Sequence, residues 1–311
     1  MVTTGTQILS TDLNSLRNKI SDVMGTGVGT FGYGQSVNSS TVIAGQTVLK
    51  SHFDAIRFDI VNAYFHQNGV VPTATIASIG DPITASSSDP FNGYNTLADE
   101  CRNERFDCDA GLLTAAVKDT KSYTSAWGTS AEYVITVTFS SANEARYFWN
   151  SGSRLRFTTG RGLGSATAQN GAWTSLLSTV GRQVIGGRLP DGLNNIYMLT
   201  NVYQDLYNLS ASTPYSANNY KIQGKCDVAS NSAGTAAVFN FKVLLTDSYV
   251  DPGAPAPGDQ VDGTLSIDVE ELKATGTLQP SGAAFSITSP SYSGTSISAV
   301  SYTHLTLRTK A

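Results

Sequence analysis

The sequence predicts an α+β protein: an N-terminal amphipathic helical repeat, then a mainly antiparallel, sandwich-like β domain with short helical insertions. Two patterns carry the prediction. Segments 5–20 and 45–60 both space their apolar residues by three and four, as one face of a helix does. From Tyr133 onward apolar and polar residues alternate in several runs, as expected of strands with one buried face. Helices on such a sheet give an α+β fold.

Four parts follow one another along the 311 residues. We expect a helical docking region (1–70), a linker with a short helix (71–130), a β-rich domain (131–299) and a C-terminal stretch (300–311). The last stretch contains Val-Ser-Tyr-Thr-His-Leu-Thr-Leu, which is similar to a translated sequencing adapter. We expect it to be an artefact and leave it out of the fold prediction. The alternative is a short natural strand.

Composition limits the classes of function. Hydrophobic residues (40%) suffice for a core, whereas charged residues (14%) are scarce against a usual share of about 25%. The net charge of −4 lacks the basic footprint of nucleic-acid-binding proteins, so no direct contact with nucleic acid is expected. Arg154, Arg156 and Arg161 would form at most a small basic patch.

Cysteine usage and hydropathy bear on the compartment. Cys101, Cys108 and Cys226 are too few, and odd in number, for a disulfide framework, which favours assembly in a reducing cytoplasm. No stretch is apolar for long enough to span a bilayer, so we expect no membrane insertion. The first residues lack the basic start and apolar run of a signal peptide.

The two N-terminal segments align as a repeat at a spacing of 40 residues. The matching pairs include Ile8 with Val48, Leu9 with Leu49, Leu16 with Ile56, Arg17 with Arg57 and Ile20 with Ile60. Thr11 and Ser51 are the expected starts of two capped helices. Such helices either belong to an ordinary core or form a module that docks onto neighbouring subunits, and both interpretations stay open.

The next part of the chain reads as loops and one short helix. Residues 71–95 are rich in Ser, Thr, Ala, Gly and Pro, which favours surface loops. Thr96 to Arg105 predicts a short helix with both signs of charge. Glu100 and Glu104 lie four residues apart on it, a spacing more typical of a solvated face than of an acid/base pair.

A compact β-α-β unit follows. Tyr133 to Phe139 predicts a strand, and Ser140 or Ser141 with Glu144 resembles the capping box at a helix start. Ala145, Phe148 and Trp149 form the apolar stripe of that helix, Gly152 is the expected C-terminal stop, and Arg154–Phe157 the returning strand.

Further elements complete the β-rich domain. Residues 171–180 predict a second short helix. Three alternating runs (220–228, 237–245 and 264–270) predict antiparallel strands with one buried face.

Candidate cofactor and metal sites are weak. Gly27 to Gly32 fits the three-glycine dinucleotide pattern, but it follows a helix and opens none, so we predict a glycine-rich turn and no cofactor. His52, His66, Cys101 and Cys108 match no tight zinc spacing, which favours exposed histidines and buried thiols.

Two further sets invite a binding function. Four aspartates surround a Pro-rich loop (Asp247, Asp251, Asp259 and Asp262), but without the regular spacing of a calcium site. Five tyrosines (Tyr197, Tyr203, Tyr207, Tyr215 and Tyr220) and the three tryptophans would suit a sugar platform, although aromatic residues fill β cores more often. We therefore name no catalytic, cofactor-binding or metal-ligating residue.

Three segments carry a resemblance. Ala142–Gly152 followed by Arg156-Phe157, the Gly32-Tyr33-Gly34-Gln35 element, and Asp262-Gly263-Thr264-Leu265 resemble blocks of virion structural proteins from tailed marine phages. The resemblance implies a tail-associated location and carries no site residues.

With that resemblance, we expect a non-enzymatic structural component of a tailed phage virion, at the tail, neck or fibre base. It would be assembled in the host cytoplasm, contact other virion proteins and form homo-oligomers. The first alternative is a fibre protein that binds a receptor or glycan on the host surface. A glycan depolymerase is the more distant one, since it needs two carboxylates facing each other across a cleft.

Overall fold

The computed structural model describes residues 9–73, 76–78, 90–190, 195–249 and 260–300, without the side chains of 90–92. The helices are α1 (Ser10–Met24), α2 (Lys50–Asn68), α3 (Pro90–Asn103), α4 (Ala142–Asn150) and α5 (Ala168–Val180). The strands are β1 (Leu113–Tyr123), β2 (Ser130–Thr138), β3 (Arg154–Gly162), β4 (Arg182–Ile185), β5 (Gln204–Ser210), β6 (Asn219–Cys226), β7 (Val238–Thr246), β8 (Thr264–Ala274), β9 (Ser291–Gly294) and β10 (Ser298–Val300). The predicted α+β class is confirmed.

The strands form two sheets. One has the order β1-β8-β3-β4, and the other has the order β10-β2-β7-β6-β5 with β9 also on β2. All the strand pairs that the structure describes run antiparallel. In β6 and β7 every second residue is buried, as the sequence pattern predicts. In β8 the same alternation holds until the last three residues.

Side chains from both sheets and from α4 meet in the core. The rings of Phe157 (β3) and Phe241 (β7) lie 6.1 Å apart, centre to centre. Trp149 of α4 packs edge-to-face on Phe239 at 5.4 Å. Aromatic pairs in this geometry add to the free energy gained from burial alone.

Both N-terminal helices begin one residue before the predicted starts, Thr11 and Ser51. The residue ahead of each helix is a leucine, whose side chain accepts no hydrogen bond, so the side chain of the third helical residue reaches back to the leucine N–H. The two bonds are Leu9 N to Asp12 Oδ2 (3.0 Å) and Leu49 N to His52 Nδ1 (3.1 Å).

α1 presents one apolar face, whereas α2 is covered on much of its surface. The buried residues of α1 are Leu13, Leu16, Ile20, Val23 and Met24. α2 buries apolar residues too, but also four polar ones: Asp59, Asn62, His66 and Gln67. None of the helices in the described ranges is both long and apolar enough to cross a membrane.

α4 follows its prediction closely. Ser141 is its N-cap, and the Ser141 hydroxyl accepts a hydrogen bond from the Glu144 N–H at 3.2 Å. Phe148 and Trp149 are buried on the predicted face. Gly152 follows the helix with φ +76°, a conformation that glycine adopts without strain.

Two predicted helix starts are wrong, and one strand was not predicted. The part predicted as linker and short helix (71–130) also contains β1, an eleven-residue strand that a bulge between Val117 and Asp119 interrupts. α3 begins at Pro90 and not at Thr96, because proline suits the first helical position. α5 begins three residues before 171, where the Thr167 hydroxyl caps the helix.

Candidate functional site

The glycine-rich turn between α1 and α2 (residues 25–35) folds back along the end of α1. Tyr33 N–H donates to Val23 O at 2.8 Å, and Gln35 N–H donates to Met24 O at 2.8 Å. Gly34 has φ +69°, and a Cβ there would lie 2.5 Å from the Tyr147 ring of α4. Only glycine allows this approach, so the turn and α4 fit together closely.

Two side chains of α4 bind the carbonyl groups of this turn. The Arg146 guanidinium donates to Thr26 O at 2.7 Å and to Gly29 O at 3.0 Å. The Asn150 amide donates to Thr30 O at 2.9 Å and to Gly32 O at 3.1 Å. The Asn150 bonds satisfy backbone acceptors in a buried to part-buried contact, and the Arg146 bonds lie at its exposed edge.

Asn150 is fixed from its other side as well. Its side chain is completely buried, and its Oδ1 accepts a hydrogen bond from the Tyr197 hydroxyl at 2.8 Å. Burial raises the pKa of Tyr197, so the hydroxyl stays a donor at neutral pH. Asn150 thus links the N-terminal turn to the chain that leads into β5.

The end of α4 contacts α2. His66 Nε2 lies 2.9 Å from Ser151 O. A Cβ on Gly152 would lie 2.6 Å from Cys108 Cβ, so glycine is required here for packing as well as for its positive φ. We call the contact between the turn 25–35, the end of α4 and His66 the junction.

A C-terminal segment lies across the junction, and we call residues 276–287 the strap. Its residues Leu278, Phe285 and Ile287 are buried. Gln35 and Ser286 exchange two hydrogen bonds, Nε2 to the carbonyl at 2.8 Å and backbone N–H to Oε1 at 3.2 Å. The Phe285 ring stacks on His66 with a centroid distance of 4.0 Å.

Two of the three sequence segments singled out above therefore meet at the junction. Gly32–Gln35 and Ala142–Gly152 contact each other through backbone acceptors, glycine contacts and one aromatic ring. Gly27–Gly32 follows α1, and no helix begins in this fully described turn, which fits the prediction of a glycine-rich turn. Its bonded carbonyls face Arg146 and Asn150.

The third segment, around Asp262, is held by α5 and the loop before it. Arg161 donates to the carbonyl of Asp262, and Ser165 N–H donates to its carboxylate at 3.0 and 3.1 Å. Hydrogen bonds from Ser165, then Asn170, and the charge of Arg161 lower the pKa of Asp262 despite its desolvation. Gln169 of α5 binds Asp247 at 2.6 Å, so neighbouring residues of α5 hold both aspartates.

The structure separates the other predicted ligands. His52 lies at the start of α2, His66 at the junction, and Cys101 and Cys108 are buried thiols. Burial raises the pKa of Cys108 to about 12, which keeps it a thiol. Within the described ranges, no group of three or more His, Cys, Asp or Glu residues is arranged to hold a metal ion. Asp251 and Asp259 lie outside those ranges.

Most of the predicted aromatic set packs in the core, where Trp127 lies 5.0 Å from Trp173 and Tyr207 lies 6.1 Å from Tyr220, ring centre to ring centre. The three tryptophans, Tyr197 and Tyr220 are buried in the core. Tyr203 is half-buried below the ammonium groups of Lys225 (4.7 Å) and Lys242 (4.4 Å).

Two of the three arginines of the predicted basic patch pair with carboxylates. Arg156 pairs with Glu270 at 2.7 Å, and the Arg161 side chain is buried against Asp262. Arg154 lies two residues from Arg156 on β3, with a half-buried side chain. The three arginines therefore do not form a basic patch of unpaired charges.

Two carboxylates lie where β1 meets the strands next to it. Glu271 is buried and accepts hydrogen bonds from Ser289 (2.9 Å) and Tyr292 (2.5 Å), with Lys118 at 3.4 Å. Desolvation acts to raise the pKa of Asp119, but its bonds to Lys121 and the Tyr133 hydroxyl lower it overall. Both carboxylates are thus bound by donors of the same chain.

Two surface grooves have the size of small ligand sites. One, of 470 Å³, lies between α1 and α3, and its charged residues Lys19 and Arg102 pair with Asp99 and Asp22. The other, of 490 Å³, lies between α5 and the loop that joins β5 to β6. The residues that line this second groove are all uncharged, and those of the first include one carboxylate, so neither offers the carboxylate pair of a glycosidase.

No family model, curated protein or solved structure matches the chain.

The sequence analysis did not identify Asn150 or His66 as the residues that join the parts of the molecule. Asn150 had one signal, its position in a segment that carries the resemblance. For His66 and Asp59, the available signal was their position on the side of α2 that already holds Ile56 and Ile60. A polar residue on a buried helix face implies a specific hydrogen-bond partner.

Proposed function

We propose that this protein is a non-enzymatic structural component of a tailed phage virion and acts through protein–protein assembly. The observation that carries the proposal is the junction. Two of the residues that carry the resemblance, Arg146 and Asn150, donate hydrogen bonds to the protein's own backbone carbonyls. Such contacts hold the chain in one fixed conformation. A subunit of an assembly needs a fixed conformation because its neighbours bind to its surface.

The reactive groups support the same proposal. Burial raises the pKa of all three thiols and lowers that of His66 to about 4, so at neutral pH they are a poor nucleophile set and a poor proton relay. Reduced thiols agree with assembly in the host cytoplasm.

The proposal assigns a role in assembly to each part of the chain. The proposed sandwich is supported by Phe157 and Phe241, whose rings are 6.1 Å apart, and by a 3.1 Å hydrogen bond between Thr159 and Tyr220. The N-terminal helices would form the docking region for other virion proteins. Further copies of the chain are the second expected class of partner.

Immunogold electron microscopy tests the location. Antibodies raised against the recombinant chain are applied to tailed particles purified from lysed host cells on a density gradient. We expect gold particles at the tail, neck or fibre base, and no label on particles treated with pre-immune serum. Label that stays in the soluble fraction and never sediments with particles would contradict a virion location.

Light scattering after size-exclusion chromatography tests assembly separately. We expect a mass that is a multiple of 32.8 kDa for the purified chain. If the chain stays a monomer at all accessible concentrations, the expected homo-oligomer is wrong. Assembly would then depend on contacts with other virion proteins alone.

A further inference from the structure

His66 lies where four separate parts of the chain meet. Its ring is completely buried. It touches the strap through Phe285, the turn 25–35 through Tyr33 (5.3 Å between ring centres), and the end of α4 through Ser151. Its own backbone carbonyl accepts a hydrogen bond from Asp109 N–H at 3.0 Å. A change in this one ring therefore reaches all these parts at once.

The hydrogen bonds of the ring fix its protonation. A carbonyl only accepts, so Nε2, at 2.9 Å from Ser151 O, carries the proton. Nδ1 is then the unprotonated nitrogen, and it is a buried atom with no hydrogen-bond partner among the described residues. A proton added to Nδ1 would create a buried cation whose new N–H lacks an acceptor, which is strongly unfavourable.

Among the residues that the structure describes, no titratable group around the ring offsets such a charge. The strap contributes the apolar face of Phe285, stacked at 16° to the imidazole. Burial raises the pKa of Tyr33 well above its usual value, so its hydroxyl stays neutral. Asp107 is engaged by Arg188 at 3.1 Å, and the Asp109 carboxylate accepts the Gly111 N–H at 2.9 Å. The remaining nearby groups are the neutral thiols of Cys101 and Cys108.

We propose that His66 is an acid-sensitive latch, whose protonation releases the strap and the end of α4 from α2. Release at the ring would let water reach Nδ1 and would break the bond to Ser151. The His66 ring contacts Ser151, Tyr33 and Phe285, none of which belongs to a strand. We therefore expect both sheets to stay folded while the junction opens.

The direction of the pH dependence follows from burial, which lowers the pKa of His66 to about 4 in the closed state. In an open state the imidazole titrates near its usual value of about 6.5. The open form therefore binds more protons between these two values, and closure loses stability as the pH falls from about 6.5 to about 4. From pH 7 to pH 4.5 the opening equilibrium rises on the order of 50-fold.

Cys108 reports on this opening, and Cys226 serves as its control. Cys108 packs against Gly152 at the junction, whereas Cys226 lies in β6 within a sheet. The protein is labelled with 4,4′-dithiodipyridine, which reacts with thiols in weak acid, at pH 7 and pH 4.5. Peptide mass spectrometry gives the rate at each cysteine, divided by the rate of free cysteine at the same pH.

We expect the corrected rate at Cys108 to rise on the order of 50-fold at pH 4.5, with Cys226 unchanged. In His66→Gln the amide can still donate to Ser151 but does not titrate, so the rise should be lost. His52→Gln, which removes the histidine at the start of α2, should behave like wild type.

Three results would overturn the latch. They are an unchanged rate at Cys108, an equal rise in His66→Gln, and a parallel rise at Cys226, which would mean that the whole protein unfolds. If His66→Gln does not fold, the ratio of Cys108 to Cys226 in the wild type, followed from pH 7 to pH 4.5, decides alone.

Discussion

α1 and α2 start alike and end differently. Each follows a leucine whose N–H is bound by the third helical side chain, and each buries apolar residues at matching positions. α1 then stops at Met24. α2 continues to Asn68, and its second half buries polar residues that each bind another segment.

Two aligned positions, Lys19 and Asp59, show the origin of the difference. Lys19 and Asp59 are 40 residues apart and occupy the same place in the two helices. Lys19 pairs with Asp99 at 2.7 Å near the surface. Asp59 is buried and accepts three hydrogen bonds from Asn38 and Ser39. The apolar stripe that both helices share favours helix formation and determines which side faces the core. The polar residues beside it determine how much of the remaining helix surface is buried.

The largest difference should come from removing these two side chains. Asp59→Ala leaves the buried Ser39 N–H and two part-buried donors of Asn38 without their acceptor, so we expect a loss of about 3 kcal/mol in the free energy of unfolding. Lys19→Ala removes a part-exposed ion pair and should cost less than about 1 kcal/mol. Urea unfolding followed by tryptophan fluorescence measures both. Equal losses would mean that Asp59 is not the buried link described here.

The shared stripe should respond equally in both helices. Ile20 and Ile60 are both fully buried. Ile20→Ala and Ile60→Ala each remove three buried carbons and leave a cavity, so we expect each to cost about 3 kcal/mol. The same urea experiment compares them, with Leu9→Ala as the control because Leu9 is 55% exposed. A much smaller loss for Ile20→Ala would show that α1 packs less tightly than α2.

The smallest effect should come from the helix starts. Asp12→Ala and His52→Ala each remove the acceptor for the N–H of the preceding leucine. Capping interactions of this kind contribute about 1 kcal/mol, and we expect each loss to be of that size or smaller. Thermal unfolding by circular dichroism measures the shift. Asp12→Asn keeps an oxygen acceptor, so a shift as large as that of Asp12→Ala would rule out the hydrogen bond as its cause.

Elements with complete local signals could be predicted from the sequence. α4 has its cap at Ser141, its stripe at Phe148 and Trp149 and its stop at Gly152 within one short segment. β1 could not, because none of its residues is buried and a bulge interrupts its register, so it lacks the apolar alternation on which strand prediction depends.

The junction was beyond sequence reasoning for a different reason. Arg146 binds the carbonyl of Thr26, 120 residues away, and every residue type carries that carbonyl. No residue pattern marks such an acceptor. The apolar spacing of α1 and α2 was visible in the sequence, but the divergent roles of Lys19 and Asp59 depend on which residues each contacts in the fold.

The bonds from α5 to Asp247 and Asp262 have a practical consequence for variation in this protein. Gln169 and Asn170 are adjacent in α5, so their bonds hold Asp247 and Asp262 close together. The number of residues between the two aspartates does not affect these bonds. Doubling the number of residues in a loop with fixed ends costs only about 0.6 kcal/mol of closure entropy. Foreign peptides, such as an epitope tag, should therefore be accepted between these anchor points with little loss of folding.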